Sequence, residues 1–483
     1  VYKRQVMGCQ VPTVILLTGK GAETRQKRGI EYIDCPSDVD YDKEYLLSAK
    51  STALEYAGEH IGGALWQYFE GQGDAERALA AMKDASRYTR GHLSRDAVRA
   101  LYGGAVTLSA SRMDMARSCH FAYFMRYGLK ARERTGAGFD APQIGTFVHD
   151  VMEHTLRQAK ECGGLHTLSK DKLHALVRAS IEEYIDRVLP DLCEKSARFR
   201  YLFNRLCAAV ERIMDEVSEE LQSSDFEPLA FELEFGADGQ LPAITIREEN
   251  GTARVVGKVD RVDGWLHDGK LYLRVVDYKT GKKSFDLAEL RYGLGLQMLL
   301  YLFTLKEEGQ MLFGGHEIVP AGVLYTPARE PMLRCARDTE PEKIEKALKK
   351  ELRRSGMVLE DPAVLQAMEH SALESPCYLP IAVKRDGAVT GSLASAEQLG
   401  KLSKYVDHIL HEITQEVFAG NIDADPYART PQQSACTYCE FASACHFENG
   451  CGSDRMEYIK ATKNDEFWQY IDEVNGEGAH ENG

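Results

Sequence analysis

The chain contains 483 residues, of which 44% are hydrophobic and 28% are charged, and its formal net charge is −15. This length is sufficient for two or three domains, and the composition is typical of a globular protein rather than a fibrous or disordered one. The net acidity argues against non-specific coating of nucleic acid by the whole surface, although it is compatible with a local basic channel.

The sequence shows neither a membrane-spanning run nor a secretion signal. No apolar run approaches the roughly 20 residues of a membrane span, and no charged-then-apolar signal peptide follows Val1. We therefore expect a cytoplasmic protein without membrane contact, and we expect this sequence to be a fragment of a longer one. Its 12 cysteines then favour reduced thiols or a metal centre over the disulfide framework of a secreted domain.

Hydrophobic periodicity divides the chain into helical and strand-like regions. Residues 1–104 mix short apolar runs with amphipathic helical stretches. Strands are predicted between 226 and 281 and at "AGVLYTP". Within 107–127, Ser111 and Asp114 form a predicted capping pair that is followed by a helix, and further helices are predicted over 141–162, 169–223, 285–308, 340–371 and 395–419. The last residues, "NGEGAHENG", are predicted to be disordered.

A predicted β-hairpin covers residues 254–281. Asp268-Gly269 is a strong turn dipeptide between two strand-like runs. If these two residues form the loop, His267 faces Lys270, and counting back along both strands places Asp260 opposite Asp277. Their Cβ atoms would then be roughly 4.5–5.5 Å apart. A register slip of one residue would separate the two carboxylates.

Two facing carboxylates repel each other unless a positive charge lies between them. A divalent cation such as Mg²⁺ (or Mn²⁺) is the natural resolution, since it binds one or two carboxylates and keeps several waters. Lys279 lies on the same face of the strand as Asp277. This set of groups is typical of metal-assisted phosphodiester hydrolysis, in which an ammonium group stabilises developing negative charge. The alternative is a hairpin with solvated surface charges.

The segments "GKVDRVD" and "VVDYKTG" resemble the motifs of the PD-(D/E)XK nuclease superfamily, and of its RecB-like branch in particular. The resemblance implies an α/β fold with a mixed central β-sheet flanked by helices, as in restriction endonucleases. It also implies that Asp260 and Asp277 bind the metal and that Lys279 positions or activates water.

Three further segments resemble the same branch. "GTFVHDVME" resembles the helix whose histidine adds a metal ligand, here His149. "GLQMLLYL" resembles the helix motif with Gln297 and Tyr301, which would support the active site or contact DNA. "FELEFG" resembles the strand before the aspartates, and the choice between Glu232 and Glu234 stays open. Taken singly, each of these residues would more often be structural or solvated.

Three cysteines near the C-terminus, Cys436, Cys439 and Cys445, have the spacing C-x2-C-x5-C. Such a cluster needs a fourth ligand to complete a tetrahedral zinc site or an iron–sulfur cluster. A zinc knuckle would use a local residue, Cys451 or His446, whereas an iron–sulfur cluster tolerates a distant cysteine. The spacing alone does not separate these two interpretations.

The segment "SRMDMARSCHFAYFMRYGL" resembles the region before the nuclease in the AddB family, the second nuclease subunits of bacterial AddAB helicase–nucleases. The resemblance implies a 4Fe-4S cluster held by Cys119, Cys436, Cys439 and Cys445. The family commonly has proline after the first of these cysteines, where this chain has His120. The implied domains are a helicase-like remnant at 1–104, the cluster-stapled nuclease at 105–460, and a partly disordered tail at 461–483.

The resemblance implies a DNA exonuclease that acts on the 5′-ended strand during double-strand break repair and recombination. Its substrate would be single-stranded DNA fed from unwound duplex, and its partner an AddA-type helicase–nuclease subunit. Two alternatives remain open. One is a CRISPR-associated RecB-like nuclease with an iron–sulfur cluster, and the other is a non-catalytic DNA-binding or scaffold subunit whose metal cluster is structural.

Overall fold

The structure is a computed structural model that describes residues 49–86, 89–132, 141–236, 239–336, 339–430 and 432–481. The predictions for residues 1–48 lie outside the described residues. The chain divides into two compact units, Val1–Thr89 and Arg90–Gly483. The boundary between these units precedes residue 104, where the sequence analysis places the end of the helicase-like remnant.

The described part of the first unit is helical. Its helices are α1 (Lys50–Glu59), α2 (Ala64–Phe69) and α3 (Gly73–Ser86). They bury a small apolar cluster that includes Trp66, Phe69 and Leu79.

The second unit combines helices with fourteen described strands. Its helices are α4 (Arg95–Tyr102), α5 (Ala110–Ser118), α6 (His120–Tyr123), α7 (Ala141–Glu161), α8 (Lys170–Val188), α9 (Ala197–Gln222), α10 (Leu287–Arg291), α11 (Gln297–Glu308), α12 (Pro341–Glu351), α13 (Pro362–Met368), α14 (Ala396–Ala419), α15 (Ala442–Cys445) and α16 (Asn464–Glu481). Its strands are β1 (Ala105–Leu108), β2 (Glu227–Phe235), β3 (Ile244–Glu248), β4 (Gly251–Val255), β5 (Gly257–His267), β6 (Lys270–Lys279), β7 (Glu317–Pro327), β8 (Ser355–Leu359), β9 (Ile381–Val383), β10 (Val389–Gly391), β11 (Leu393–Ala394), β12 (Tyr427–Thr430), β13 (Gln433–Ser434) and β14 (Glu457–Tyr458).

A six-stranded mixed sheet forms the centre of the second unit, in the order β11-β8-β7-β6-β5-β2. Strands β6 and β7 run parallel, whereas β2–β5, β5–β6 and β7–β8 are antiparallel pairs. Helix α7 packs against β2, and α11 packs against β6 and β7. The expected α/β fold with a mixed central sheet flanked by helices is therefore confirmed.

The hairpin β5–β6 has the predicted register. Its pairs run from His267–Lys270 at the turn to Arg261–Val276. Both loop residues have positive φ, 49° at Asp268 and 78° at Gly269, as a two-residue turn that follows the strand twist requires. Apolar side chains of both strands are buried, because this pair lies inside the sheet with a neighbour on each side.

Helix α16 lies in the predicted C-terminal tail and packs against α14. Phe467, Trp468 and Ile471 are buried in the main core, which explains why this stretch folds onto the domain. No helix of the described ranges is long and apolar enough to cross a membrane.

Candidate metal centre

Asp260 and Asp277 lie on the neighbouring strands β5 and β6, immediately beyond the pair Arg261–Val276. Oδ2 of Asp260 accepts a hydrogen bond of 2.8 Å from the backbone N–H of Tyr278. Burial, and then the negative charge of Asp260, raise the pKa of Asp277 to about 6. The structure therefore brings the two predicted carboxylates together, and their mutual repulsion favours a bound cation.

Lys279 lies beside these carboxylates. Its Nζ atom is 2.6 Å from Oδ2 of Asp277 and 5.7 Å from the centre of the Tyr325 ring. The Asp277 side chain is almost fully buried, whereas that of Lys279 is 31% exposed. The ammonium group thus lies between a buried acid and solvent, where it can meet an incoming anion.

His149 reaches the same carboxylates from helix α7. Its Nε2 atom is 2.8 Å from the backbone carbonyl oxygen of Tyr278, and its Nδ1 atom is 3.3 Å from Oδ2 of Asp260. When Nε2–H donates to the carbonyl, Nδ1 is left as the nitrogen that can bind a metal. Burial alone lowers the pKa of this imidazole, but the hydrogen bond and charge of Asp260 raise it to about 9.

Glu232 is the third member of the most compact ligand group. The ligand atoms of His149, Glu232 and Asp260 all lie within 4.8 Å of one another. Glu232 has a φ of 50° in the middle of β2, an unusual backbone conformation for glutamate that stores strain of about 1–3 kcal/mol. Asp277 is outside this compact group. Glu234 is also outside it and is more exposed than Glu232, so the structure favours Glu232 where the sequence left the choice open.

These donors fit a hard divalent cation. Mg²⁺ and Mn²⁺ prefer carboxylate oxygens, and Mn²⁺ also accepts imidazole. Glu232, Asp260 and Asp277 supply carboxylates, and His149 supplies the imidazole nitrogen. The centre therefore has the donor chemistry of a divalent-cation site.

Gln297 and Tyr301 lie on one face of helix α11, as predicted. Nε2 of Gln297 donates a hydrogen bond of 3.1 Å to the hydroxyl oxygen of Tyr301. The same hydroxyl interacts with the backbone N–H of Lys258, at the start of β5. A Cβ atom at Gly257 would lie 2.5 Å from the Tyr301 ring, so glycine is needed for this close approach. The pair thus holds the strand that carries Asp260, and both side chains also line a groove of 620 Å³.

A network of buried charges lies on the hairpin and helix α9. Arg261 donates to Asp263 and to the hydroxyl of Tyr278, at 3.0 and 2.7 Å. Arg274 donates to Asp263 at 2.9 Å and lies 3.5 Å from Glu220. Because Tyr278 lies between Asp277 and Lys279 in the chain, this network anchors the strand that carries them.

A third arginine completes the network. Nη2 of Arg354 lies 2.6 Å from Oε2 of Glu220. Burial by itself raises the pKa of Glu220, but Arg354, Arg274 and Arg261 lower it to about 2. The carboxylate is therefore ionised and serves as the counter-charge for the buried arginines.

The four predicted cluster cysteines are free thiols that interact electrostatically. Burial raises the pKa of Cys119 to about 12, and the charge of Cys445 adds to this effect. Burial, followed by the charges of Cys439 and Cys445, raises the pKa of Cys436 to about 11. Cys451, a candidate for a local zinc site, is exposed. Cys119 therefore lies within electrostatic reach of Cys445, although the two are distant in the chain.

Polar contacts join the segments that carry these cysteines. His120 contacts Asp425 and Glu416 through its two ring nitrogens. Arg90 forms hydrogen bonds of 2.7 and 2.9 Å to the carboxylate of Asp454 and one of 2.8 Å to the carbonyl oxygen of Cys445. These contacts join the residue after Cys119 to Asp425 and Glu416, and the backbone of Cys445 to Arg90.

Comparisons with known proteins bear on the family of this chain. The sequence profile of the PD-(D/E)XK nuclease superfamily matches residues 107–446. The chain is 30% identical over 454 residues to an ATP-dependent helicase/deoxyribonuclease subunit of Ruminiclostridium cellulolyticum, covering 93% of this chain and 39% of that protein. It is 32% identical over 412 residues to the protein of the same name from Acetivibrio thermocellus, and the match covers 84% of this chain and 35% of that protein.

A third relative with this name, from Caldanaerobacter subterraneus, is 32% identical over 391 residues, which cover 80% of this chain and 33% of the relative. The chain thus spans well under half the length of the curated relatives it matches. The profile match includes all the predicted metal ligands and extends from the segment of Cys119 to that of Cys445. The chain belongs to the PD-(D/E)XK nuclease superfamily.

Proposed function

We propose that the chain is the nuclease-bearing part of an AddB-type subunit and hydrolyses phosphodiester bonds of DNA with the help of Mg²⁺ or Mn²⁺. The observation that supports this most is the convergence of Asp260, Asp277 and Lys279 on two adjacent strands. The relatives' name, ATP-dependent helicase/deoxyribonuclease, supports DNA as the substrate and a helicase-containing complex as the context.

In this mechanism Asp260, Asp277, His149 and Glu232 would hold the divalent cation. When bound, the cation would lower the pKa of a water and neutralise charge on the phosphate. Lys279 keeps its ammonium group at the exposed side of Asp277, where it positions the attacking water or stabilises the anionic phosphate oxygens. Gln297 and Tyr301 hold the start of β5 and border the groove through which a single strand would pass.

We further infer that Cys119, Cys436, Cys439 and Cys445 hold a 4Fe-4S cluster. The resemblance of the segment around Cys119 to the AddB family supports this cluster over a local zinc site, as does the electrostatic interaction of Cys119 with Cys445. Joining thiols more than 300 residues apart would stabilise the domain by roughly several kcal/mol in the loop-closure model.

The cellular context follows from the same proposal. The protein would act in the cytoplasm as an exonuclease on single-stranded DNA delivered by an AddA-type helicase–nuclease partner, in double-strand break repair and recombination. Co-purification of a tagged chain with a helicase partner tests this context. Recovery with CRISPR-associated proteins instead would support the alternative assignment.

The activity is tested with Asp277→Asn. We expect this variant to lose Mg²⁺-dependent cleavage of single-stranded DNA while its circular dichroism spectrum stays unchanged. Asp268→Asn is the matched control, because Asp268 lies in the exposed hairpin turn and asparagine tolerates its positive φ. Undiminished cleavage by Asp277→Asn contradicts the proposal. A wild-type chain that binds DNA but does not cleave it with Mg²⁺ supports the non-catalytic alternative.

A further inference from the structure

Lys258 is a charged residue at the metal centre to which the sequence analysis gave no role. Its Nζ atom lies 2.6 Å from Oε2 of Glu232 and 3.6 Å from Oε1 of Glu234. The Lys258 side chain is 47% exposed, whereas that of Glu232 is 15% exposed. The ammonium group therefore neutralises the less accessible carboxylate and lies between it and a more accessible one.

The position of Lys258 in the sheet explains this contact. Lys258 precedes Asp260 by two residues on β5, so both side chains lie on the same face of the strand. Glu232 occupies the facing part of β2, between the pairs Phe231–Arg261 and Leu233–Val259. The register of β2 and β5 thus places the lysine beside the compact group formed by Glu232, Asp260 and His149.

The backbone of Lys258 is held in place, but its ammonium group has space to move. The backbone N–H interacts with the hydroxyl of Tyr301, which is buried on helix α11. The side chain borders the 620 Å³ groove together with Glu234, Gln297 and Tyr301. A small rotation of the lysine side chain would transfer its ammonium group from Glu232 to Glu234 without moving the strand.

A divalent cation at this centre competes with that ammonium group. A metal ligand oxygen lies about 2.0–2.2 Å from Mg²⁺ or Mn²⁺. A lysine ammonium group bonded to the same carboxylate neutralises the negative charge of that carboxylate and repels the cation. We propose that Lys258 is the resident counter-ion of Glu232, that the catalytic cation displaces it toward Glu234, and that this exchange sets the metal affinity of the enzyme. The inference rests on the proposed metal centre.

The proposed exchange predicts that loss of the Lys258 charge changes the metal affinity, whereas a purely structural ion pair between Lys258 and Glu232 does not predict this change. Replacing Lys258 with a neutral residue leaves Glu232 uncompensated in the metal-free protein, so the cation should bind more tightly. A half-exposed pair contributes about 0.2–1 kcal/mol, which corresponds to an increase in Mn²⁺ affinity of roughly 1.4- to fivefold. Lys258→Arg keeps the charge and should bind Mn²⁺ with nearly wild-type affinity.

The experiment measures binding of Mn²⁺ alone, without DNA, by electron paramagnetic resonance of the free ion. Lys258→Met and Lys258→Gln are expected to bind more tightly than wild type. The matched control is Lys270→Met, because Lys270 is 47% exposed and pairs with Glu317 at 3.0 Å, outside the ligand group. Equal or weaker binding by both neutral Lys258 variants overturns the inference.

A double-mutant cycle tests the role of Glu234. Glu234→Gln should weaken Mn²⁺ binding in the wild-type background, where the displaced ammonium group needs this carboxylate, and should have little effect in Lys258→Met. An equal loss in both backgrounds contradicts the exchange. Asp260→Asn tests the metal centre itself. If this variant binds Mn²⁺ as wild type does, the proposed centre is wrong and the exchange is overturned with it.

Discussion

Nζ of Lys279 lies 2.6 Å from Oδ2 of Asp277, two residues earlier on the same strand. The alternation of side chains along β6 places both groups on one face, and burial of Asp277 fixes the acid while the lysine reaches solvent. A positive charge is thereby held beside the carboxylate pair before any substrate arrives. This arrangement separates two tasks, because Asp277 can bind the cation while Lys279 acts on the phosphate or water.

The first prediction concerns this separation. Lys279→Met should reduce cleavage of single-stranded DNA about a hundredfold or more, because a fixed charge at the reacting group is lost. Binding of Mn²⁺ should persist, since the carboxylates and His149 remain. Single-turnover cleavage rates and Mn²⁺ titration measure the two effects. The control is Lys282→Met, because the Lys282 side chain is 78% exposed. If Lys279→Met lost no more cleavage activity than Lys282→Met, the role assigned to Lys279 would be contradicted.

The second prediction concerns the support of β5 by helix α11. Tyr301→Phe removes the hydroxyl that accepts a hydrogen bond from Gln297 and interacts with the backbone of Lys258. We expect a loss of about 0.5–1.5 kcal/mol in the free energy of unfolding and slower cleavage, because the strand carrying Asp260 is less well held. Urea denaturation and cleavage assays measure these effects. Tyr272→Phe on β6 serves as control, and unchanged cleavage in Tyr301→Phe would limit the pair to a stabilising role.

The third prediction separates the two kinds of metal cluster. Cys119→Ser should lose iron and the broad visible absorption of anaerobically purified protein, because Cys119 lies within electrostatic reach of Cys445. Cys451→Ser should keep both, since Cys451 is exposed. Iron and zinc analysis of the two variants provides the measurement. Zinc content that depends on Cys451 and not on Cys119 would favour a zinc knuckle instead.

The fourth prediction concerns the buried charges that anchor the hairpin. Glu220→Gln leaves Arg354 without its carboxylate partner, removes one of the two carboxylates beside Arg274, and should destabilise the fold by about 3 kcal/mol at pH 7. The folded pKa of about 2 lies below the ordinary value of 4.5, so ionised Glu220 stabilises the fold above pH 4.5. This stabilisation is lost as the pH falls toward 2.

Urea denaturation of wild type and Glu220→Gln at several pH values tests the sign of this effect. The difference in free energy of unfolding between the two proteins should be constant from pH 7 to pH 4.5 and should become smaller below pH 4.5. Glu219→Gln, at the neighbouring position on helix α9, is the control, because Glu219 is exposed. A difference that widens on acidification would contradict the assigned charge state.

Part of the fold and site could be read from local sequence. The turn at Asp268-Gly269 specifies the hairpin register, because a two-residue loop leaves one way to pair the strands, and that register brings Asp260 next to Asp277. The position of Gln297 and Tyr301 on one helical face follows from their separation of four residues. In contrast, the packing of helix α16 against α14 is a tertiary contact that the local sequence of this helix does not specify.

The sequence by itself therefore determined what short-range geometry controls: the hairpin, the alternation that aligns Asp277 with Lys279, and the C-x2-C-x5-C motif. Only the tertiary structure decided which of Glu232 and Glu234 joins the ligand group, that Lys258 neutralises it, and that Cys119 interacts electrostatically with Cys445. Those relations depend on pairing of β2 with β5 and on packing of segments hundreds of residues apart. Such contacts arise from burial of the whole core, which no local pattern encodes.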